Sequence, residues 1–211
     1  MSKARPKAVI FDVGKVLYDW DPRFLYAKVF KERLIEDDRA LDAFLRDVVT
    51  TDWHFQHDAG RPFADTSAEL IARFPEHEAL IAAWGPRFNE SIGDPIPGMH
   101  ALVAELDAAG VPLFAITNFS GEFWPPFRAR EAALFDRFRD VVVSGDEKLT
   151  KPDAAIYRLA LDRFGLAPHE AVFIDDSLPN VEAARALGIP AIHFNGTTAL
   201  RRTLSEWGLL A

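Results

Sequence analysis

The sequence predicts an α/β fold, a doubly wound parallel sheet of five strands with a helical bundle inserted, and three observations carry that prediction. First, the short, near-continuous apolar run Ala8-Val9-Ile10-Phe11 stops at Asp12, Val13 and Gly14. This is the pattern of a strand buried on both faces that ends in a turn. Second, residues 19–92 carry apolar side chains at helical spacing. Third, from residue 99 onward strand-like and helix-like stretches alternate, which is how a parallel sheet with crossover helices is written.

With 211 residues, 49% apolar content and 17 Phe, the chain has ample material for a core, as one large domain or a domain with an insertion. The net charge of −8 comes without a basic block, so no nucleic acid or membrane-surface partner is expected. The absence of cysteine removes disulfides and thiolate chemistry, and leaves only oxygen or imidazole as metal ligands. The start Met-Ser-Lys-Ala-Arg-Pro-Lys leads into the first strand without a separate apolar segment, and nowhere do 18 apolar residues run together. A soluble, cytoplasmic protein, monomer or homodimer, is expected.

In order, Asp21-Pro22 caps a helix whose apolar face is Leu25, Val29, Phe30 and Leu34. Leu41, Phe44, Leu45 and Val48 mark a second helix, and Ser67, Leu70, Ile71 and Phe74 a third. A fourth carries Leu80, Ile81, Trp84 and Phe88, bent at Gly85-Pro86. Asp94-Pro95-Ile96-Pro97-Gly98 reads as a hinge. Then follow a helix through Met99 and Leu106, closed by Gly110, and a strand over 111–117. Glu122-Phe123-Trp124-Pro125-Pro126 reads as a loop before a helix through Leu134 and Phe138. A strand over 141–144 comes next, and a helix capped by Asp153 ends at Gly165. The last units are a strand over 171–174, a helix ending at Gly188, a strand over 191–194 and a helix through Leu200, Leu204 and Trp207. The division expected is a core of residues 1–18 and 93–211, and a cap of residues 19–92.

Parallel strands gather their carboxyl ends at one edge, where ligands bind in open α/β sheets. There the sequence places Asp12, Thr117-Asn118 and Asp175-Asp176, with Lys151 on a loop able to join them. Each residue alone also reads as a turn former, cap or surface charge. Together, three crowded carboxylates repel one another unless a divalent cation and a lysine neutralise them.

These motifs resemble the haloacid dehalogenase superfamily of hydrolases, in particular its magnesium-dependent phosphatases with a small helical cap. The resemblance covers nearly the whole chain and is strongest to bacterial phosphatases of α-glucose-1-phosphate, which share a Phe-Asp-x-Gly first motif. It implies that Asp12 in Phe11-Asp12-Val13-Gly14 is the nucleophile, Thr117 in Ile116-Thr117-Asn118 the hydroxyl, and Lys151 in Thr150-Lys151-Pro152-Asp153 the lysine, with Asp175-Asp176 in the acidic fourth motif. Mg²⁺ is the implied cofactor, on Asp12, the Gly14 carbonyl and Asp176, with Asp175 bound directly or through water. The implied substrate is a small phosphorylated metabolite, a sugar phosphate, bound by Thr117, Asn118 and Lys151 and hydrolysed through an aspartyl-phosphate. The cap segment Trp53-His54-Phe55-Gln56-His57-Asp58-Ala59-Gly60-Arg61 is the expected substrate-facing part, with His57 and Arg61 as contacts. Neither His54 nor His57 is expected to be catalytic. Two positions depart from the commoner family pattern: Gly14 stands where an aspartate acid/base is usual, and Asn180 where another aspartate is frequent. A metal-free 2-haloacid dehalogenase and a phosphate-binding regulatory protein without turnover are the other readings.

Overall fold

The computed structural model describes residues 6–35 and 37–210; the basic stretch 1–5 lies outside the described residues. The chain runs β1 (Ala8–Phe11), β2 (Tyr18–Trp20), α1 (Pro22–Glu32), α2 (Asp38–Asp47), α3 (Thr51–Asp58), α4 (Phe63–Arg73), α5 (Glu78–Ile81), α6 (Trp84–Arg87), β3 (Ile92–Pro95), α7 (Met99–Ala108) and β4 (Leu113–Thr117). It continues with α8 (Trp124–Arg130), α9 (Ala132–Phe135), β5 (Asp140–Val143), α10 (Ser144–Glu147), α11 (Ala154–Phe164), β6 (Ala171–Asp175), α12 (Leu178–Ala186), β7 (Ala191–His193) and α13 (Thr197–Glu206).

Five strands form a parallel sheet in the order β5-β4-β1-β6-β7, so β1 is central. Alternate side chains of the strands enter two separate apolar clusters, Val9 and Phe11 on one face, Ala8 and Ile10 on the other. This is why the strand reads as continuously apolar. Phe11 lies opposite Ala115 of β4 and Ile174 of β6, which brings the ends of the three strands level.

The helical segment differs in detail from expectation. Asp21 caps α1 by accepting the Arg23 N–H, with Pro22 in the first turn. Leu34, read as part of the apolar face, lies beyond the helix with φ +58 and is exposed. The fourth expected helix is broken into α5, α6 and a 3-10 turn at Phe88–Ser91. Gly85 is needed there because a Cβ would stand 2.4 Å from the Phe63 ring. Helix α3 is an additional helix, lying between the second and third expected ones. The start of the expected hinge pairs with the segment after β1 as antiparallel strands: Tyr18 lies opposite Pro95 and Trp20 opposite Ile92. The expected division at 18/19 and 92/93 therefore falls inside β2 and β3. Pro125 and Pro126, read as helix breakers, sit in the first turn of α8, where their missing N–H groups have no intrahelical partner to lose.

Candidate active site

Asp12 follows β1 and is buried, as is Asp175 at the end of β6. Between them lies Lys151, whose ammonium is 2.8 Å from Asp12 Oδ1 and 2.7 Å from Asp175 Oδ2. The loop carrying Lys151 is fixed by Asn118. Its Nδ2 donates to the Lys151 carbonyl at 3.0 Å, and its Oδ1 accepts the Lys151 N–H at 2.8 Å. The Asp175 carboxylate is filled from three directions, by Lys151, by the Ser177 N–H at 2.8 Å and by Asn180 Nδ2 at 3.0 and 3.1 Å. Asp12 Oδ1 also accepts the Val13 N–H at 2.7 Å. These contacts hold one oxygen of Asp12 and leave Oδ2 uncommitted among the described residues.

The charges follow from this geometry. Burial pushes the Asp12 carboxyl above its ordinary range, Lys151 opposes that, and Asp175 and Asp176 reinforce it. Burial by itself lowers Lys151, but the two carboxylates outweigh it and hold the ammonium firmly protonated. Asp176 is likewise raised by burial and by Asp175. One oxygen each from Asp12, Asp175 and Asp176 lie within 4.8 Å of one another. Three carboxylates against one lysine, with oxygen donors alone, suit a hard divalent cation such as Mg²⁺.

Asp12, Gly14, Asn118 and Asp176 border a cavity of about 410 Å³ whose opposite wall comes from α3 and β2. Thr117 is buried at the end of β4 and does not border it. The structure does not bring His57 or Arg61 to the cavity. His57 is buried with its Nε2 2.7 Å from Thr66 Oγ1, and Arg61 is exposed and paired with Glu69. Their places facing the carboxylates are taken by Thr51, His54, Phe55 and Asp58 of the same helix. His54 Nε2 lies 3.3 Å from Asp58 Oδ2, and its Nδ1 is buried without a partner. No accessible ring nitrogen is therefore left free for the cavity. A helical reading of residues 51–58 puts positions 51, 54, 55 and 58 on one face. That i, i+3, i+4, i+7 set was the signal available for these residues.

Helix α3 is seated by small residues. Ser144 Oγ donates to the Asp58 carbonyl at 2.6 Å and accepts the Phe119 N–H at 2.9 Å. A Cβ on Gly60, at φ +86, would stand 2.7 Å from the Gly145 carbonyl oxygen. Only glycine lets the end of α3 pass this close to α10 in that conformation.

A buried lysine between two carboxylates, with a third carboxylate close by, stands at the carboxyl edge of the parallel sheet, where open α/β folds bind their ligands. The family model for haloacid dehalogenase-like hydrolases matches residues 6–188, and the chain belongs to that family. It is 27% identical to the sesquiterpene phosphatase astK of Aspergillus oryzae over 92% of each chain. It is also 27% identical to the N-acetylmuramic acid 6-phosphate phosphatase of Pseudomonas aeruginosa, over 89% of this chain and 81% of the other. A haloacid dehalogenase family enzyme of Bacteroides thetaiotaomicron, solved with magnesium and inorganic phosphate, shares the fold with a TM-score of 0.65 at 20% identity over 90% of this chain and 95% of that one. No helix among the described residues is long and apolar enough to cross a membrane.

Proposed function

We propose that this hydrolase is a magnesium-dependent phosphatase that cleaves a small phosphomonoester through an aspartyl-phosphate on Asp12. The observation that carries the reading is the convergence of Asp12, Asp175 and Asp176 around Lys151, with Oδ2 of Asp12 left uncommitted. Asp12 Oδ2 attacks phosphorus in line; the P–O bond to Asp12 forms and the bond to the leaving alcohol breaks. Lys151 holds the other oxygen of the nucleophile and places positive charge beside the phosphoryl group. Asn118 keeps that lysine in place through its backbone. Asp12, the Gly14 carbonyl and Asp176, with Asp175 behind them, would hold Mg²⁺, and the ion would supply neutralisation of the phosphoryl oxygens. Gly14 offers no side chain to protonate the leaving oxygen, and water takes up that proton exchange. Water then cleaves the Asp12 acyl phosphate and regenerates the carboxylate.

The motif resemblance implies a sugar phosphate, and one of the two relatives named above is a sugar-phosphate phosphatase by name while the other is a sesquiterpene phosphatase. The acidic cluster favours a phosphatase over a metal-free dehalogenase, which has no cation to hold. Inorganic phosphate release from a panel of phosphomonoesters, with Mg²⁺ and with chelator, tests the reading. Mg²⁺-dependent release, abolished in a folded Asp12→Asn variant, is expected. Chloride release from a 2-haloacid without metal points to the dehalogenase, and phosphate binding without turnover to the regulatory protein.

A further inference from the structure

The wall of the cavity facing the carboxylates is largely aromatic. Trp20, Phe55, Phe88, Phe119 and Phe127 border it, with Ile92 among them. Several polar groups bordering the cavity already have partners, although Thr51 and Lys15, both exposed, border it as well. The Tyr18 hydroxyl donates to Glu131 at 2.8 Å, the Asn118 amide is spent on the Lys151 backbone, and His54 pairs with Asp58. A sugar presents several hydroxyls, each of which loses a water partner on entering such a cavity. A wall able to replace those partners needs free donors and acceptors, and beside Thr51 and Lys15 this one is built mainly of aromatic rings. Phe55 adds a second observation. It is 39% exposed on α3, one of the few large apolar side chains presented to solvent, and it borders this cavity.

We propose that the leaving group is an apolar alcohol, so that the substrate class is the phosphomonoester of an aliphatic, prenyl-like or aromatic alcohol rather than of a polyhydroxylated sugar. The proposal rests on the phosphatase reading for the position of the phosphoryl group at Asp12. The alcohol then lies against Trp20, Phe55 and Phe88, and the phosphoryl group at the carboxyl edge of the sheet. The chemistry of the step is unchanged: the P–O bond to the alcohol breaks and a proton returns to the alcohol oxygen.

Non-hydrolysable phosphonates separate recognition from turnover. Calorimetric titration of the Mg²⁺-loaded full chain with ethyl-, butyl- and hexylphosphonate is expected to show affinity rising by up to about fourfold per methylene, the ratio that burial of one CH₂ provides. In Phe55→Ser the gain from ethyl to hexyl is expected to shrink by about fivefold or more, with ethylphosphonate affinity within about twofold of wild type. A flat series, a hexose-6-phosphonate bound more tightly than hexylphosphonate, or no binding by any of the phosphonates overturns the proposal. Absence of phosphate release from every ester, beside a rising phosphonate series, counts against the phosphatase reading alone.

Discussion

No atom lies within 4 Å of where a Cβ on Gly14 would stand, and its backbone is not in the left-handed region. A Cβ therefore fits there without strain, so the glycine is not imposed by the backbone or by crowding at Cβ. Proton donation to a leaving oxygen is typically worth about 10²–10⁴-fold. Without a donor, rates depend steeply on how acidic the leaving alcohol is. For wild type, aryl phosphates of graded acidity are expected to show a steep decline in kcat/KM from nitrophenyl to phenyl esters. Gly14→Asp is expected to flatten that decline and raise the phenyl ester by about 10²-fold. Equal slopes in the two proteins would mean that another group already serves the proton. Lys151 makes a second residue-scale case, since its removal leaves two buried carboxylates facing each other. Lys151→Met is expected to lose about 3–5 kcal/mol of stability in chelator, as buried pairs do when one partner goes. Saturating Mg²⁺ is expected to recover part of this by binding the native state. Denaturant titration with and without metal reads both effects, and an unchanged midpoint would remove Lys151 from between the carboxylates.

At the scale of the element, α3 shows where the sequence is legible and where it is not. Its buried residues are Trp53, His54, His57 and Asp58, three of the four polar, so no apolar stripe announces a helix. The start signal was nevertheless present: Thr50 accepts the Trp53 N–H as an N-cap. By contrast, β1, β4 and β6 are apolar on both faces and end at or beside Asp12, Thr117 and Asp175. Their strands and the Asp12–Lys151–Asp175 grouping could thus be placed from sequence. The hairpin of β2 and β3 joins residues far apart in the chain, and short strands with Pro and Gly carry little pattern. The cavity's aromatic wall was hidden for the same reason, because Trp20, Phe55, Phe88 and Phe127 converge only through tertiary packing. His57 offers a test of how α3 is held. Burial, with smaller contributions from His54 and Arg61, depresses its imidazole to about 3. Its unfolded value is near 6.5, so the unfolded chain binds the proton first as pH falls. Stability is then insensitive to His57 above about pH 6.5 and falls by up to about 1.4 kcal/mol per pH unit below it, until the folded value is reached. His57→Gln is expected to remove about 2 kcal/mol of the pH dependence between 6.5 and 5. Parallel stability-against-pH curves for the two proteins in that window would show that His57 is not held neutral.

For the whole molecule, the decisive fact is that one apolar cluster runs from the sheet into the helical segment. Val9, Phe11 and Met99 belong to the same buried cluster as Leu25, Phe44 and Trp84. The helices between β2 and β3 therefore do not have a core of their own to fold around. They are also tied to α10 through Ser144 and through the close approach of Gly60 to Gly145. Elements that share a core unfold together, and loss of one contact is felt by all. Tryptophan fluorescence reports mainly on Trp20, Trp53 and Trp84 in the helical segment and its flanking strand, beside Trp124 and Trp207, whereas far-UV circular dichroism reports on every helix. The two are expected to give one coincident urea transition. Gly60→Ala forces a left-handed, sterically blocked Cβ into the α3–α10 contact, at about 1–2 kcal/mol for the conformation alone. The midpoint is then expected to fall for both probes together with the slope unchanged, because the same surface is exposed on unfolding. An early fluorescence transition that leaves the dichroism of the remaining helices intact would show instead that the helical segment is held to the sheet by the α3 contact alone.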